Sequence, residues 1–138
     1  MTENDNIIVE LTTRILGDLC DPKVINSAND KSWQMPVWSA LEESGLTAAF
    51  VSEDLGGAGI QIAEGFEILR VAGKYAMPLP LAETMLGGWL LTQGEICFPG
   101  GKLTVAPIHE RDRLFIDEDN VISGHAYGVP FASTVDNI

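Results

Sequence analysis

Three glycines within four positions, Gly56-Gly57-Ala58-Gly59, constrain this chain more than any other local feature. Such a loop lets backbone approach a neighbour closely or turn through positive φ, conformations that a side chain would block. What it approaches, a ligand or a neighbouring helix, is open from the residues alone. The flanks are informative. Upstream, Trp38, Leu41 and Leu46 fit a buried helical stripe that stops at Gly45, a residue suited to closing a helix in the left-handed conformation, after which Leu46 folds back onto Leu41. The apolar run Ala48 to Val51 and the polar Ser52-Glu53-Asp54 then lead into the loop, and a new amphipathic pattern follows at once.

That pattern, with Ile62, Phe66, Leu69 and Gly73 on one face, predicts a helix to about Tyr75, in which Gly65 and Gly73 permit close packing. Before the loop, Ile8, Leu11, Ile15 and Leu19 recur at helical spacing from Asp5 to Leu19, with Thr2, Asn4 or Asp5 as N-cap. Asp21-Pro22 ends this helix, Asn26 to Lys31 reads as a loop or short irregular helix, and Pro36 suits the first turn of the helix leading to Gly45. The Pro78-Leu79-Pro80 turn precedes a further helix, Leu81 to about Gln93, that is apolar around most of its circumference. Such a helix is central to a core or covered by another domain.

Beyond Gly94 the texture changes. Pro99-Gly100-Gly101 reads as a turn, followed by extended segments at Leu103 to Ala106, Arg113 to Ile116 and Val121 to Val129, with Asp117 to Asn120 as an acidic hairpin loop. The fold class is therefore α+β: an amino-terminal helical bundle, residues 1–98, and the first strands of an incomplete antiparallel β-domain, residues 99–138. Three strands with no closing partner leave an open edge.

The net charge of −12 argues against nucleic acid or an anionic membrane surface as partner. The polar, acidic start, Met1 to Asn6, lacks the basic region of a secretory signal and favours the cytoplasm. The most apolar window, Met77 to Leu91, is interrupted by Pro78, Pro80 and Glu83 and is too short for a bilayer. Cys20 and Cys97 belong to no Cys-x-x-Cys pair, so both read as free, core-type thiols and no metal site is signalled.

Other chemical motifs fail on spacing. After Gly57-x-Gly59, Ile62 stands where a dinucleotide fingerprint needs its third glycine, and no βαβ alternation follows. Gly73-Lys74-Tyr75 and Gly101-Lys102-Leu103 lack the hydroxyl residue and upstream glycine of a phosphate loop. His109 and His125 have no serine or cysteine motif beside them and read as surface or turn histidines. Glu42-Glu43, Glu53-Asp54 and Asp117 to Asp119 read as solvated carboxylates, and Trp33, Trp38 and Trp89 as core anchors.

Taken together, Trp38, Leu41, Gly45-Leu46, Ser52-Glu53 and Gly56-Gly57-Ala58-Gly59 resemble the amino-terminal helical domain of the acyl-CoA dehydrogenase family, with Ser52 in place of the usual proline. The resemblance implies a helical domain, a middle β-domain and a carboxy-terminal helical bundle, of which this sequence covers the first and the opening of the second. It is expected to be a fragment, a truncated chain or a short member. The implied activity is FAD-dependent oxidation of an acyl-CoA thioester at its α and β carbons, with the flavin accepting hydride and a glutamate base in the bundle taking the α proton. No catalytic residue is therefore assigned here.

The resemblance also implies roles for particular positions. Thr104 to Glu110 stands where the family places a threonine-glutamate pair and a glycine-serine-aspartate run against the flavin, and lacks both; Ala106 occupies this flavin-facing stretch. Gly128-Val129-Pro130 stands where the family has a flavin-contacting tryptophan-isoleucine-threonine, which makes Val129 and Pro130 the other cofactor-side candidates. Met77 to Thr84 resembles divergent members acting on bulky acyl-CoA substrates such as steroid side chains, some of which pair a flavin-poor subunit with a different catalytic one. It would set a helix lining the acyl pocket, with Met85 and Trp89 as contacts, although plain core packing explains both as well. FAD is not expected to be held by this chain alone. The implied partners are an acyl-CoA substrate and other dehydrogenase-like subunits in a homo- or hetero-oligomer. The alternative is a non-catalytic interaction subunit that docks onto a true acyl-CoA dehydrogenase.

Overall fold

The computed structural model describes residues 3–28 and 30–138, in the order α1 (Glu3–Leu19), α2 (Pro22–Ser27), α3 (Gln34–Glu43), a 3-10 turn (Glu53–Leu55), α4 (Ile62–Lys74), α5 (Leu81–Gln93), β1 (Arg113–Ile116) and β2 (Ile122–His125). The expected α+β order is present: helices first, then an antiparallel hairpin.

Helix α1 packs on α3 and α4. Its first residue is Glu3, two positions before the expected start; Thr2, one expected cap, lies outside the described residues. The fully buried stripe is centred on Thr12, Ile15 and Leu16, about one residue round from the expected one, while Ile8, Leu11 and Leu19 flank the core. A threonine is tolerated there because its hydroxyl donates to the Ile8 carbonyl one turn earlier, at 2.7 Å. The sequence predicts a loop or short irregular helix over Asn26 to Lys31; a short helix, α2, does form but begins earlier, at Pro22, where Asp21 accepts the Lys23 N–H at 2.8 Å and proline at the first helical position has no N–H to leave unpaired.

Helix α3 closes as Gly45 suggests. Gly45 has φ 71°, its N–H donates to the Glu42 carbonyl at 2.9 Å, and the Leu46 N–H donates to the Leu41 carbonyl at 3.0 Å. This doubly bonded cap seats Leu46 against Leu41, and both are buried with Val37 and Trp38. Each such side chain contributes about 1.5–3 kcal/mol through burial. The same cap ends α4 at Ala76 and α5 at Glu95, where non-glycine residues hold the positive φ.

The glycine loop closes on its own upstream segment. Gly57, Ala58, Gly59 and Ile60 donate in turn to the carbonyls of Ser52, Ala48, Val51 and Ala49, at 2.8–3.1 Å. A Cβ on Gly57 would lie 2.1 Å from the Val51 carbonyl oxygen, and one on Gly88 of α5 would lie 2.6 Å from Val51 Cγ2. The Phe50 ring in turn occupies the place of a side chain on Gly65 of α4. The run Phe50–Val51 is thus threaded between loop and helices, at distances only glycine backbone permits.

Helix α4 corrects the expected face. Gly65, Ile68, Val71 and Ala72 are buried, whereas Ile62 and Phe66 are more than half exposed and a Cβ on Gly73 would meet open space. The Phe50 ring and the bulk of α1 select the stripe with the smaller residues. Helix α5 has the expected bounds and buries Leu81, Thr84, Met85, Gly87 and Gly88, leaving Leu86 and Leu90 exposed.

Of the three expected strands two form, in register Arg113–His125 to Ile116–Ile122. The third, at Leu103, makes only an isolated parallel bridge to Asn137, and β2 stops at His125 instead of Val129. Asp117 builds the hairpin loop by accepting the N–H groups of Asp119 and Val121 on its carboxylate, at 3.0 and 2.9 Å. Cys97 is exposed, contrary to the expected core-type thiol; Cys20 is fully buried, and burial pushes its thiol up. Trp38 and, in part, Trp33 belong to the core, but Trp89 does not. No helix among the described residues is long and apolar enough to cross a membrane.

Candidate functional site

The apolar residues of α5 that do not join the helical core with Leu81 and Met85 find a neighbour in the segment beyond Gly94. The α5 cap turns the chain back through Ile96, whose N–H donates to the Leu91 carbonyl at 2.9 Å. Further on, Thr84 Oγ1 donates to the Leu103 carbonyl and accepts the Leu103 N–H, each at 3.0 Å. Gly87 lets Leu103 approach: a Cβ at Gly87 would lie only 3.4 Å from that of Leu103. The carboxy-terminal stretch completes the wall: Asp136 and Asn137 donate to the Lys102 carbonyl, and Thr104 donates to the Asn137 carbonyl at 3.1 Å.

These contacts enclose a cleft of about 510 Å³ between α5 (Gly87, Leu90, Leu91) and the stretch from Ile96 to Ala106. That volume suits a small-molecule site. Its lining is chiefly apolar, with Thr104 and Asn137 as polar residues and Cys97 among the wall residues. Among the described residues, no side chain of Asp, Glu, His, Lys or Arg lines it. The nearest cation in sequence, Lys102, is turned onto the face of Trp38, with Nζ 5.6 Å from the ring centroid. Glu42 Oε1 accepts the Gly101 N–H at 3.1 Å and Asp136 Oδ2 that of Lys102 at 2.8 Å, so both carboxylates staple the backbone. The cleft is open to solvent along one side and can hold an apolar group against its walls; among the described residues, the Cys97 thiol is the one ionisable side chain in its lining.

The residues expected to carry function are dispersed. Ala106 lines the cleft. Met85 is completely buried in the helical core. Trp89 is half-buried on another face of α5 and, with Phe50, Ile62, Phe66, Leu69, Ala82 and Leu86, lines a second, almost wholly apolar groove of about 320 Å³. Val129 and Pro130 lie half-buried after β2, and neither lines the cleft. Sequence reasoning missed Thr104, Leu90, Leu91 and Ile96. The available signal was the all-round apolar character of α5, which requires two burial partners.

A separate polar knot orders the chain around the hairpin. Asp112 accepts the N–H groups of His109 and Tyr127, at 2.8 and 2.9 Å, and these backbone donors hold its carboxyl below the usual carboxylate range. His109 Nδ1 accepts the Arg111 N–H at 3.1 Å, and the Arg111 guanidinium lies 5.0 Å from the Tyr127 ring centroid. Among the described residues, no group of three or more His, Cys, Asp or Glu is placed to hold a metal ion.

Two curated proteins are similar to the chain. It is 24% identical over 135 residues to the acyl-CoA dehydrogenase IpdE2 of Mycobacterium tuberculosis, covering 96% of this chain and 42% of that protein. It is 27% identical over 89 residues to the acyl-CoA dehydrogenase IpdE2 of Mycolicibacterium smegmatis, covering 62% of this chain and 29% of that protein. The chain thus spans less than half the length of the curated relatives it matches. No family model and no solved structure matches it.

Proposed function

We propose that this chain, a divergent acyl-CoA dehydrogenase-like sequence, contributes one side of an acyl pocket and the flavin-side scaffold in a flavoprotein that oxidises an acyl-CoA thioester at its α and β carbons. The cleft carries this reading: an apolar volume of about 510 Å³ beside Ala106, in a chain that aligns over 96% of its length with a protein named for that activity. On this reading residues 1–98 form the helical domain, residues 99–138 begin the β-domain, and the Thr84–Leu103 bonds hold the two together.

The residues fit the apolar part of FAD better than the whole. Val105 and Ala106 suit the face of a flat ring, whereas among the described residues no lysine or arginine lines the cleft to meet a diphosphate. Bound FAD would supply the hydride acceptor. The contribution of this chain is to hold the acyl group against its apolar walls. With no carboxylate or imidazole side chain among the described residues of the lining, the α proton would leave to a base outside the cleft wall built here. Val129, Pro130 and Trp89 remain candidate contacts, whereas Met85, completely buried in the helical core, is a packing residue.

A second reading, a non-catalytic subunit that docks onto a dehydrogenase, is favoured by the groove around Trp89 and by the hairpin, whose Phe115 and Ile116 are more than 60% exposed. The test is spectroscopic. The purified 138-residue chain is expected to be colourless, and to show no acyl-CoA oxidation with an artificial electron acceptor. Stoichiometric FAD absorbance or turnover by the isolated chain would overturn the division of labour proposed here.

A further inference from the structure

Thr104 is 3% exposed and lines the cleft, and its Oγ1 has no hydrogen-bond partner. The hydroxyl of Thr84 nearby shows the contrast, since it both donates and accepts. Of the two buried polar atoms without a partner among the described residues, Trp38 Nε1 belongs to a residue outside the cleft lining, and Thr104 Oγ1 to a residue within it. A buried hydroxyl left unpaired is unfavourable, and a valine of the same shape would not carry that cost. A threonine here stabilises the protein only if something else completes its bond.

We infer that Thr104 is a specificity-determining residue whose hydroxyl donates to a carbonyl oxygen of an otherwise apolar ligand held in the cleft. This rests on the acyl-pocket reading above. The walls at Gly87, Leu90, Leu91, Leu103 and Val105 accommodate a hydrocarbon chain, and Thr104 supplies a donor for an oxygen on it. The ligand class is an acyl chain bearing a thioester carbonyl. A pure hydrocarbon or thioether leaves the hydroxyl unpaired and gains nothing from it. Asn137 does not replace Thr104 through its backbone, whose N–H and carbonyl are engaged by Lys102 and Thr104.

Cys97 provides the readout, because it is exposed and among the cleft residues while Cys20 is buried. The probes are S-methyl octanethioate and the matching methyl octyl sulfide, which differ by the one carbonyl and are both free of the phosphates that this acidic chain would repel. Protection of Cys97 from iodoacetamide is followed by mass spectrometry in the wild-type chain and in Thr104→Val. The thioester is expected to protect the wild type at a concentration about tenfold lower than the variant, the ratio expected for one hydrogen bond to a buried partner. The thioether is expected to protect both equally. Without ligand, Thr104→Val is expected to melt higher than wild type, since it removes an unpaired buried hydroxyl.

Equal protection of both chains by the thioester would overturn the role of Thr104 while leaving the cleft as an acyl site. Absence of protection by either probe would overturn both the inference and the acyl-pocket reading. A lower melting temperature for unliganded Thr104→Val would mean that the hydroxyl is already satisfied within the protein, and would overturn the inference on its own.

Discussion

Thr84 and Leu103 exchange two hydrogen bonds through one hydroxyl, which donates to the Leu103 carbonyl and accepts the Leu103 N–H, both at 3.0 Å. Thr84 is fully buried on α5, and Leu103 is 4% exposed. The segment carrying Leu103 has no strand partner beyond its bridge to Asn137, so a helix side chain satisfies backbone that a sheet would otherwise pair. Thr84→Val would leave two buried backbone groups unpaired, at about 1–3 kcal/mol each. The expected result is a loss of roughly 2–6 kcal/mol in urea denaturation, with Thr84→Ser retaining most of the stability. A Thr84→Val midpoint equal to wild type would show that Leu103 is held by other means.

The glycine loop yields a second expectation. Gly57 faces the Val51 carbonyl at a distance no side chain tolerates, and Gly59 sits at φ 59°. Gly57→Val and Gly59→Val should each destabilise the chain by about 1 kcal/mol or more, Gly57→Val the more severely because it displaces backbone. Unchanged melting temperatures for both would remove the structural reason for the motif.

A third concerns pH. In the folded chain backbone N–H groups of His109 and Tyr127 stabilise the Asp112 carboxylate, so its pKa is depressed relative to the unfolded chain. The stabilisation is present above the unfolded carboxylate value, about pH 4, and is lost as pH falls through the lower folded value. Amide exchange at His109 and Tyr127, followed by NMR, should lose protection selectively below about pH 4. Asp112→Asn should abolish that pH dependence. Protection that does not change with acid would contradict the role given to Asp112.

Much of the helical layer was legible because its signals are local. Gly45 ends α3 by backbone geometry, the Pro78–Pro80 turn starts α5, and Asp117 closes the hairpin through its own neighbours. What depended on long-range packing was less legible. The buried face of α4 is decided by the Phe50 ring against Gly65, fifteen residues away in sequence, and apolar periodicity alone favours the larger Ile62 and Phe66. Leu103 read as a strand because its apolar run is extended, yet its partners are a helix threonine and the carboxy-terminal stretch. The cleft was missed for the same reason: it is defined by Leu90 and Leu91 facing Ile96 and Thr104, a pairing with no fixed spacing.

The acyl-pocket reading is tested most directly by calorimetric titration of the chain with N-acetylcysteamine thioesters of increasing acyl length. Burial in the cleft is worth about 0.8 kcal/mol per methylene, so affinity should rise roughly three- to fourfold with each added carbon until the cleft is filled. Leu90→Asp, which places a charge on the wall, should flatten that rise. Affinity that does not depend on acyl length, or that rises unchanged in Leu90→Asp, would contradict an acyl site in this cleft.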